Sequence, residues 1–386
     1  MPSMEQRAVV AAAAISAAGS IPYHVMSFIV ALAATDGLLS VAEAGWIGGL
    51  YTAGTLVATI LLPLAGARRV TRLPLIAGLT LLAGALAWGT LARSTAALLG
   101  GWFVAGLVGG LYAFLGSTAA AASPDRLLAF GTRLGLVLLL AAAVIGGAHL
   151  SGGFRSYGHA VLVVGVGITV VTLAALKSYR APSLAAGRPA QAASGIEQAG
   201  GGVGGLVVAA LFFAGQTGFY AYAILLALRN GVSGEDLALI YVAAKLVAAG
   251  VVLSWGTRER VGAPTAAMGM LIALAVVTVA VSRDVSMFAA GIGVWHIAVN
   301  VQSTRVQAVA VACDPVRLGR WLAAAMAIGA TSGPVAHGAL LSVGAGAWFI
   351  GFTVLSGALP WAWSRQVNRS PRATAPGAPP TKTAGG

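Results

Sequence analysis

The sequence predicts an all-α membrane protein: twelve transmembrane helices in two six-helix, pseudo-symmetric bundles. Three observations carry that reading. Hydrophobic residues make up 58% of the 386 and charged residues only 9%, where a soluble domain carries about 25% charged residues. Apolar runs of about 20 residues, long enough to cross a bilayer as helix, follow one another with short charged breaks. The chain also repeats itself: Leu50-Tyr51-Thr52-Ala53-Gly54-Thr55-Leu56-Val57-Ala58 returns 190 positions later as Ile240-Tyr241-Val242-Ala243-Ala244-Lys245-Leu246-Val247-Ala248. Gly66, Arg68 and Pro74 recur in the same register as Gly256, Arg258 and Pro264, and Pro124-Asp125-Arg126-Leu127 recurs as Pro315-Val316-Arg317-Leu318. Two unrelated apolar helices share Leu, Val and Ala by chance; they do not share Tyr, Gly, Arg and Pro in register.

In chain order, the first span is expected at 8–33. It follows Arg7 and stays apolar to Ala34, too long for a cleaved signal peptide, and Pro22 is placed to bend it. Spans at 42–65, 73–92, 95–122, 131–150 and 157–177 complete a first bundle, residues 1–177. Ser40-x-x-Glu43 opens the second span as a capping box. Residues 178–203, rich in Ala, Gly, Ser and Pro, read as a flexible cytoplasmic linker. The second bundle, 204–364, has spans at 204–228, 235–255, 264–282, 285–312, 318–341 and 345–364, with Ser233-x-x-Asp236 opening the eighth. Residues 365–386 read as a disordered tail.

The net charge of +13 raises nucleic acid as a partner, but its placement points elsewhere. With both termini cytoplasmic, 17 of the 23 lysines and arginines, Arg126 and Arg133 among them, fall on that side. Only Arg93, Arg155, Arg229 and Arg283 fall outside. This is the positive-inside distribution, so the charge reports orientation in a cell inner (plasma) membrane. Cys313 is the single cysteine, so an internal disulfide or a cysteine metal cluster is excluded. No Gly-rich phosphate loop or Ser-His-Asp arrangement stands in a soluble segment. The expectations are a non-enzyme, a monomer, no metal and no cofactor, with the bilayer and a small-molecule solute as partners.

Twelve spans in two halves, with a basic turn after the second and eighth, resemble the major facilitator superfamily over residues 5–365. The family's loop between spans two and three runs Gly-x-x-x-Asp-Arg-x-Gly-Arg-Arg. Here Gly66-Ala67-Arg68-Arg69-Val70-Thr71-Arg72 keeps the glycine and the bases without the aspartate, and Gly256-Thr257-Arg258-Glu259-Arg260 keeps one acid. Trp102 stands where the family often has a coupling arginine in span four. The antiporter-type Gly-x-x-x-Gly-Pro of span five is found instead in span eleven, as Gly329 to Pro334. The resemblance implies two bundles rocking about a midplane site, a cavity lined by spans one, four, seven and ten, and a gating role for Arg68 and Arg258. Small-residue pairs such as Gly45-x-x-x-Gly49 and Gly106-x-x-x-Gly110 suit close helix packing.

The candidate site begins with Lys245. It lies ten residues into its span, about 15 Å deep at 1.5 Å per residue, and every carboxylate in the chain maps to a loop or a span end. Its repeat mate is Thr55. Three readings remain open: a substrate anion neutralises it, it is a neutral amine that carries a proton, or neighbouring hydroxyls such as that of Tyr241 satisfy it. The first is the expectation. Span ten adds His296, Asn300, Ser303 and Gln307 within about 60° of one helical face, and polar groups in a span face a bundle interior or a cavity. Tyr23 and His24 of span one, Tyr112 of span four, and Gln216 and Tyr220 of span seven join the candidate binding set. Arg305, off that face, and His149 and His337, matched points of spans five and eleven, are candidates for gating or coupling.

The function these readings support is secondary transport of a small organic solute by alternating access, best an organic anion of carboxylate type, with protons as a candidate coupling ion. Two alternatives are a proton-coupled exporter of drugs or apolar metabolites, and a membrane sensor or assembly factor that binds without translocating.

Overall fold

A computed structural model describes residues 4–39, 41–65, 71–92, 94–151, 156–179, 203–229, 231–256, 263–312, 314–342 and 344–369. They form twelve helices and no strand. The first six are α1 (Met4–Thr35), α2 (Val41–Leu64), α3 (Arg72–Leu91), α4 (Thr95–Ala122), α5 (Arg126–Leu150) and α6 (Tyr157–Ser178). The second six are α7 (Val203–Arg229), α8 (Gly234–Val251, closing in a π-helical turn Val252–Gly256), α9 (Ala263–Val281), α10 (Val285–Ala310), α11 (Pro315–Ser342) and α12 (Gly346–Arg369). Nine of these, among the described residues, are long and apolar enough to cross a membrane, and Thr265–Val281 is a shorter apolar segment.

Several helix starts are set by side-chain caps rather than by hydropathy. A helix leaves its first N–H groups without partners, and a Ser or Asp oxygen supplies one. Asp125 Oδ1 accepts from the Leu128 N–H at 2.9 Å and Asp284 Oδ1 from that of Met287 at 2.8 Å. Asp314 Oδ1 accepts from the Arg317 N–H at 3.0 Å, ahead of a proline at the first helical position. Consequently α5 starts at Arg126 and α11 at Pro315, earlier than the expected 131 and 318. The Ser233 cap forms a variant of the expected box. Its oxygen accepts from the Asp236 N–H at 3.1 Å, while its hydroxyl donates to the Asp236 carboxylate at 2.6 Å. Ser40 lies outside the described residues. At the far end, α12 runs to Arg369, past the expected start of the tail, since no glycine or proline stands between Trp361 and Pro371.

Helix packing repeats from one half to the other. In the first, α2 and α3 lie along α4, and α1 packs on α4, α5 and α6; in the second, α8 and α9 lie along α10, and α7 packs on α10, α11 and α12. Between the halves, α2 meets α11 and α5 meets α8, and α4–α11 is matched by α5–α10. In lipid no hydrophobic force drives helices together, so close packing of small residues does it. A Cβ on Gly106 would lie 2.0 Å from the Tyr51 carbonyl oxygen, and one on Gly329 2.2 Å from that of Ala210. Glycine therefore permits the α2–α4 and α7–α11 contacts. Polar ties accompany them. The Thr55 hydroxyl donates to the Gly106 carbonyl at 3.1 Å, Tyr51 donates to the Gly19 carbonyl, and the Trp102 indole N–H donates to the Tyr157 hydroxyl at 2.8 Å.

Candidate functional site

A cavity of about 180 Å³ lies where the halves face each other, lined by α1, α2, α4, α5, α7, α10 and α11. One water needs roughly 10–15 Å³ by the same measure, so the space admits a small organic molecule. The α10 face is continuous along it: His296, Asn300, Ser303 and Gln307 all line the cavity. Two of these are held by their own helix. Asn300 Nδ2 donates to the His296 carbonyl at 2.6 Å and Gln307 Nε2 to the Ser303 hydroxyl at 2.9 Å. Tyr23 and His24 of α1 and Gln216 and Tyr220 of α7 lie on the same cavity.

Among the described residues the lining carries one charged side chain, and it is Arg133. The sequence counts Arg133 with the cytoplasmic end of its span; the Asp125 cap instead starts α5 early enough to carry it a full two turns inside. It is buried, at 7% exposure. Its Nε donates to the Ser16 hydroxyl of α1 at 2.9 Å and its Nη1 to Gln307 Oε1 of α10 at 3.0 Å, so one guanidinium touches both halves. Nη2 has no hydrogen-bond partner among the described residues. Hydropathy alone hid this residue; the Pro124-Asp125 helix start was the signal that reveals it.

Lys245 is fully buried and does not line the cavity. Its Nζ lies 3.4 Å from His24 Nδ1 and 3.5 Å from the Tyr220 hydroxyl. It also sits over two rings, 5.3 Å from the Tyr220 centroid and 5.9 Å from that of Tyr241, where a ring's negative face attracts a cation. Tyr220 in turn donates to the His24 carbonyl at 2.8 Å. Among the described residues no carboxylate reaches this lysine; neutral nitrogen, hydroxyl and π faces surround it. The Tyr241 hydroxyl is not one of them, and makes no hydrogen bond among the described residues.

An aromatic wall separates Lys245 from the open space. Tyr220 stacks on Trp295 at 5.8 Å with 6° between planes, and His296 meets Tyr220, Tyr241 and Trp295 edge-on. Neither His296 ring nitrogen has a partner among the described residues. Gln216 anchors the wall: its Oε1 accepts from the Trp295 indole at 3.1 Å, and its Nε2 donates to the Thr353 carbonyl at 3.0 Å and the Ser356 hydroxyl at 2.9 Å. Gln216→Leu leaves that indole N–H buried without a partner, a loss of about 1–3 kcal/mol. Thermal unfolding of the purified protein should show it, and an unshifted transition would mean that the indole finds another acceptor.

Other candidates sit elsewhere. Tyr112 is buried with its hydroxyl donating to the Leu75 carbonyl at 3.0 Å, and does not reach the cavity. Tyr241 lies beside Lys245, behind the wall, and Arg305 is buried on α10 away from the lining. His337 is fully buried, Nδ1 donating to the Gly333 carbonyl at 2.9 Å and Nε2 at 2.9 Å from the Thr353 hydroxyl. His149, half-buried in the last turn of α5, does not line the cavity either. Arg68 and Arg258 lie outside the described residues.

No protein-family model and no curated protein sequence matches the chain. Solved structures do. The human organic anion transporter MFSD10 (TETRAN) matches with a TM-score of 0.68 and 17% sequence identity, over 94% of this chain and 100% of that one. The chain has the major facilitator fold. At that identity the likeness is one of architecture. This major facilitator fold explains why packing in one half returns in the other, and why the cavity sits between them. Its lining here is wider than α1, α4, α7 and α10: α2, α5 and α11 contribute, and α5 brings the charge.

Proposed function

We propose that the chain is a secondary transporter of a small organic anion, carried across the membrane by alternating access of the cavity between its halves. The observation that carries the reading is Arg133. A buried cation without an acid partner is costly, among the described residues no lining residue of the cavity is an acid, and there the guanidinium keeps N–H groups on Nη1 and Nη2 free for a planar, two-oxygen acceptor such as a carboxylate. That MFSD10 is an organic anion transporter is in keeping with this choice. Lys245 adds positive charge behind the wall. The same reading places both ends of the chain on the cytoplasmic side of the inner membrane, from the distribution of basic residues, and treats residues 178–203 as the link between the halves.

A second reading, export of apolar solutes, is favoured by the Tyr220–Trp295 stack and by Phe213 and Met326 on the lining. One experiment separates the two. Purified protein is screened for thermal stabilisation by carboxylates, organic cations and neutral aromatics, and the best ligand is then followed as flux into proteoliposomes. Carboxylates are expected to stabilise and to be carried. Stabilisation by neutral or cationic solutes alone would replace the anion reading with the second one.

A further inference from the structure

The cavity has two donor ends, and both can be placed on α1. At one, Ser16 holds Arg133 Nε at 2.9 Å. At the other stands His24, whose Nδ1 faces the Lys245 Nζ at 3.4 Å. With Lys245 as an ammonium, which has only hydrogens to offer, Nδ1 is the acceptor and the ring proton is confined to Nε2, since the partner of one imidazole nitrogen sets the state of the other. Nε2 makes no hydrogen bond among the described residues and is not a sealed atom, and His24 lines the cavity. It is therefore a donor on the cavity wall with a positive charge at its back. The Tyr220 hydroxyl, bonded to the His24 carbonyl at 2.8 Å, keeps the His24 backbone in place. Ser16 and His24 are eight residues apart on α1, about 12 Å along its axis. Side chains such as Val299, Met326 and Phe213 make other parts of the wall apolar.

Resting on the organic-anion reading, we propose that the solute bears acceptor oxygens at both ends: a dicarboxylate-type anion with an apolar middle, held between the Arg133 guanidinium and the His24 Nε2–H. Lys245 is a positioning residue in this arrangement. It fixes the His24 tautomer and never touches the solute. The charges balance as well, since Arg133 and the Lys245–His24 pair together present two positive charges to two carboxylates.

The test compares two probes of equal chain length, suberate with two carboxylates and octanoate with one, by titrated thermal stabilisation of the purified protein. A hydrogen bond to a charged group is worth roughly tenfold in affinity or more, so wild type should prefer suberate by about tenfold. Lys245→Met should bring the ratio towards one. His24→Gln should keep it, because the amide Nε2–H needs no lysine to orient it, and adding Lys245→Met to His24→Gln should then change nothing. If Lys245→Met does not fold alone, His24→Phe against His24→Gln carries the comparison, the first losing the preference. Equal binding of the two acids by wild type overturns the proposal. So does a Lys245→Met effect of the same size in both His24 backgrounds, which would make the lysine act by itself. A protein that binds neither acid but binds neutral or cationic solutes overturns the anion reading as a whole.

Discussion

Arg133→Gln is expected to weaken carboxylate binding by ten- to a hundredfold, with Arg133→Lys recovering part of the loss. A charge-assisted hydrogen bond contributes about 1.5–3 kcal/mol, and 1.4 kcal/mol is a factor of ten. The glutamine can still bond Ser16 or Gln307, so the tie between α5 and its neighbours is partly kept while the charge is removed. Lysine restores the charge but offers a compact ammonium instead of a planar fork, so its recovery is incomplete. The unliganded melting temperature separates the two roles of the residue. A fall in ligand affinity larger than the fall in stability marks contact with the solute. Arg133→Gln with wild-type affinity for carboxylates would remove Arg133 from the binding site, and with it the basis of the anion reading.

Gly106→Val should lose most of the folded protein. Any Cβ at this position comes within 2.0 Å of the Tyr51 carbonyl oxygen, and both partners are helix backbone that cannot swing aside. The α2–α4 contact must therefore open. Opening it also lengthens the Thr55–Gly106 hydrogen bond, and α2 carries Tyr51, Thr52 and Thr55 of the cavity wall. Overpacking costs about 1–3 kcal/mol in tolerant sites, and this site has no side chain to yield. Detergent-solubilised Gly106→Val should give low yield and early unfolding, whereas Gly100→Ala, whose Cβ meets nothing within 4 Å, should match wild type. Equal behaviour of the two variants would show that α2 and α4 do not pack by their backbones.

The architecture was legible in the chain because its signals are local. Hydropathy sets each span, the repeat of Tyr51 in Tyr241 discloses the halves, and a 100° step per residue gathers His296, Asn300, Ser303 and Gln307 on one face. Where a stronger local rule competed, hydropathy misled: the Asp125 cap begins α5 before its apolar run does, which moves Arg133 from a span end to the cavity. The two cations show the remaining division. The sequence by itself determined that Lys245 is deep in a span with no acid at its depth, and that α10 has a polar face. Only the tertiary structure decided that Lys245 stands behind Tyr220 and His24 while Arg133 stands in front. Those positions depend on contacts between residues 221 apart for Lys245 and His24 and 174 apart for Arg133 and Gln307. Which polar faces of separate helices meet is settled by backbone approach at glycines and by packing, and no local period in a sequence records it.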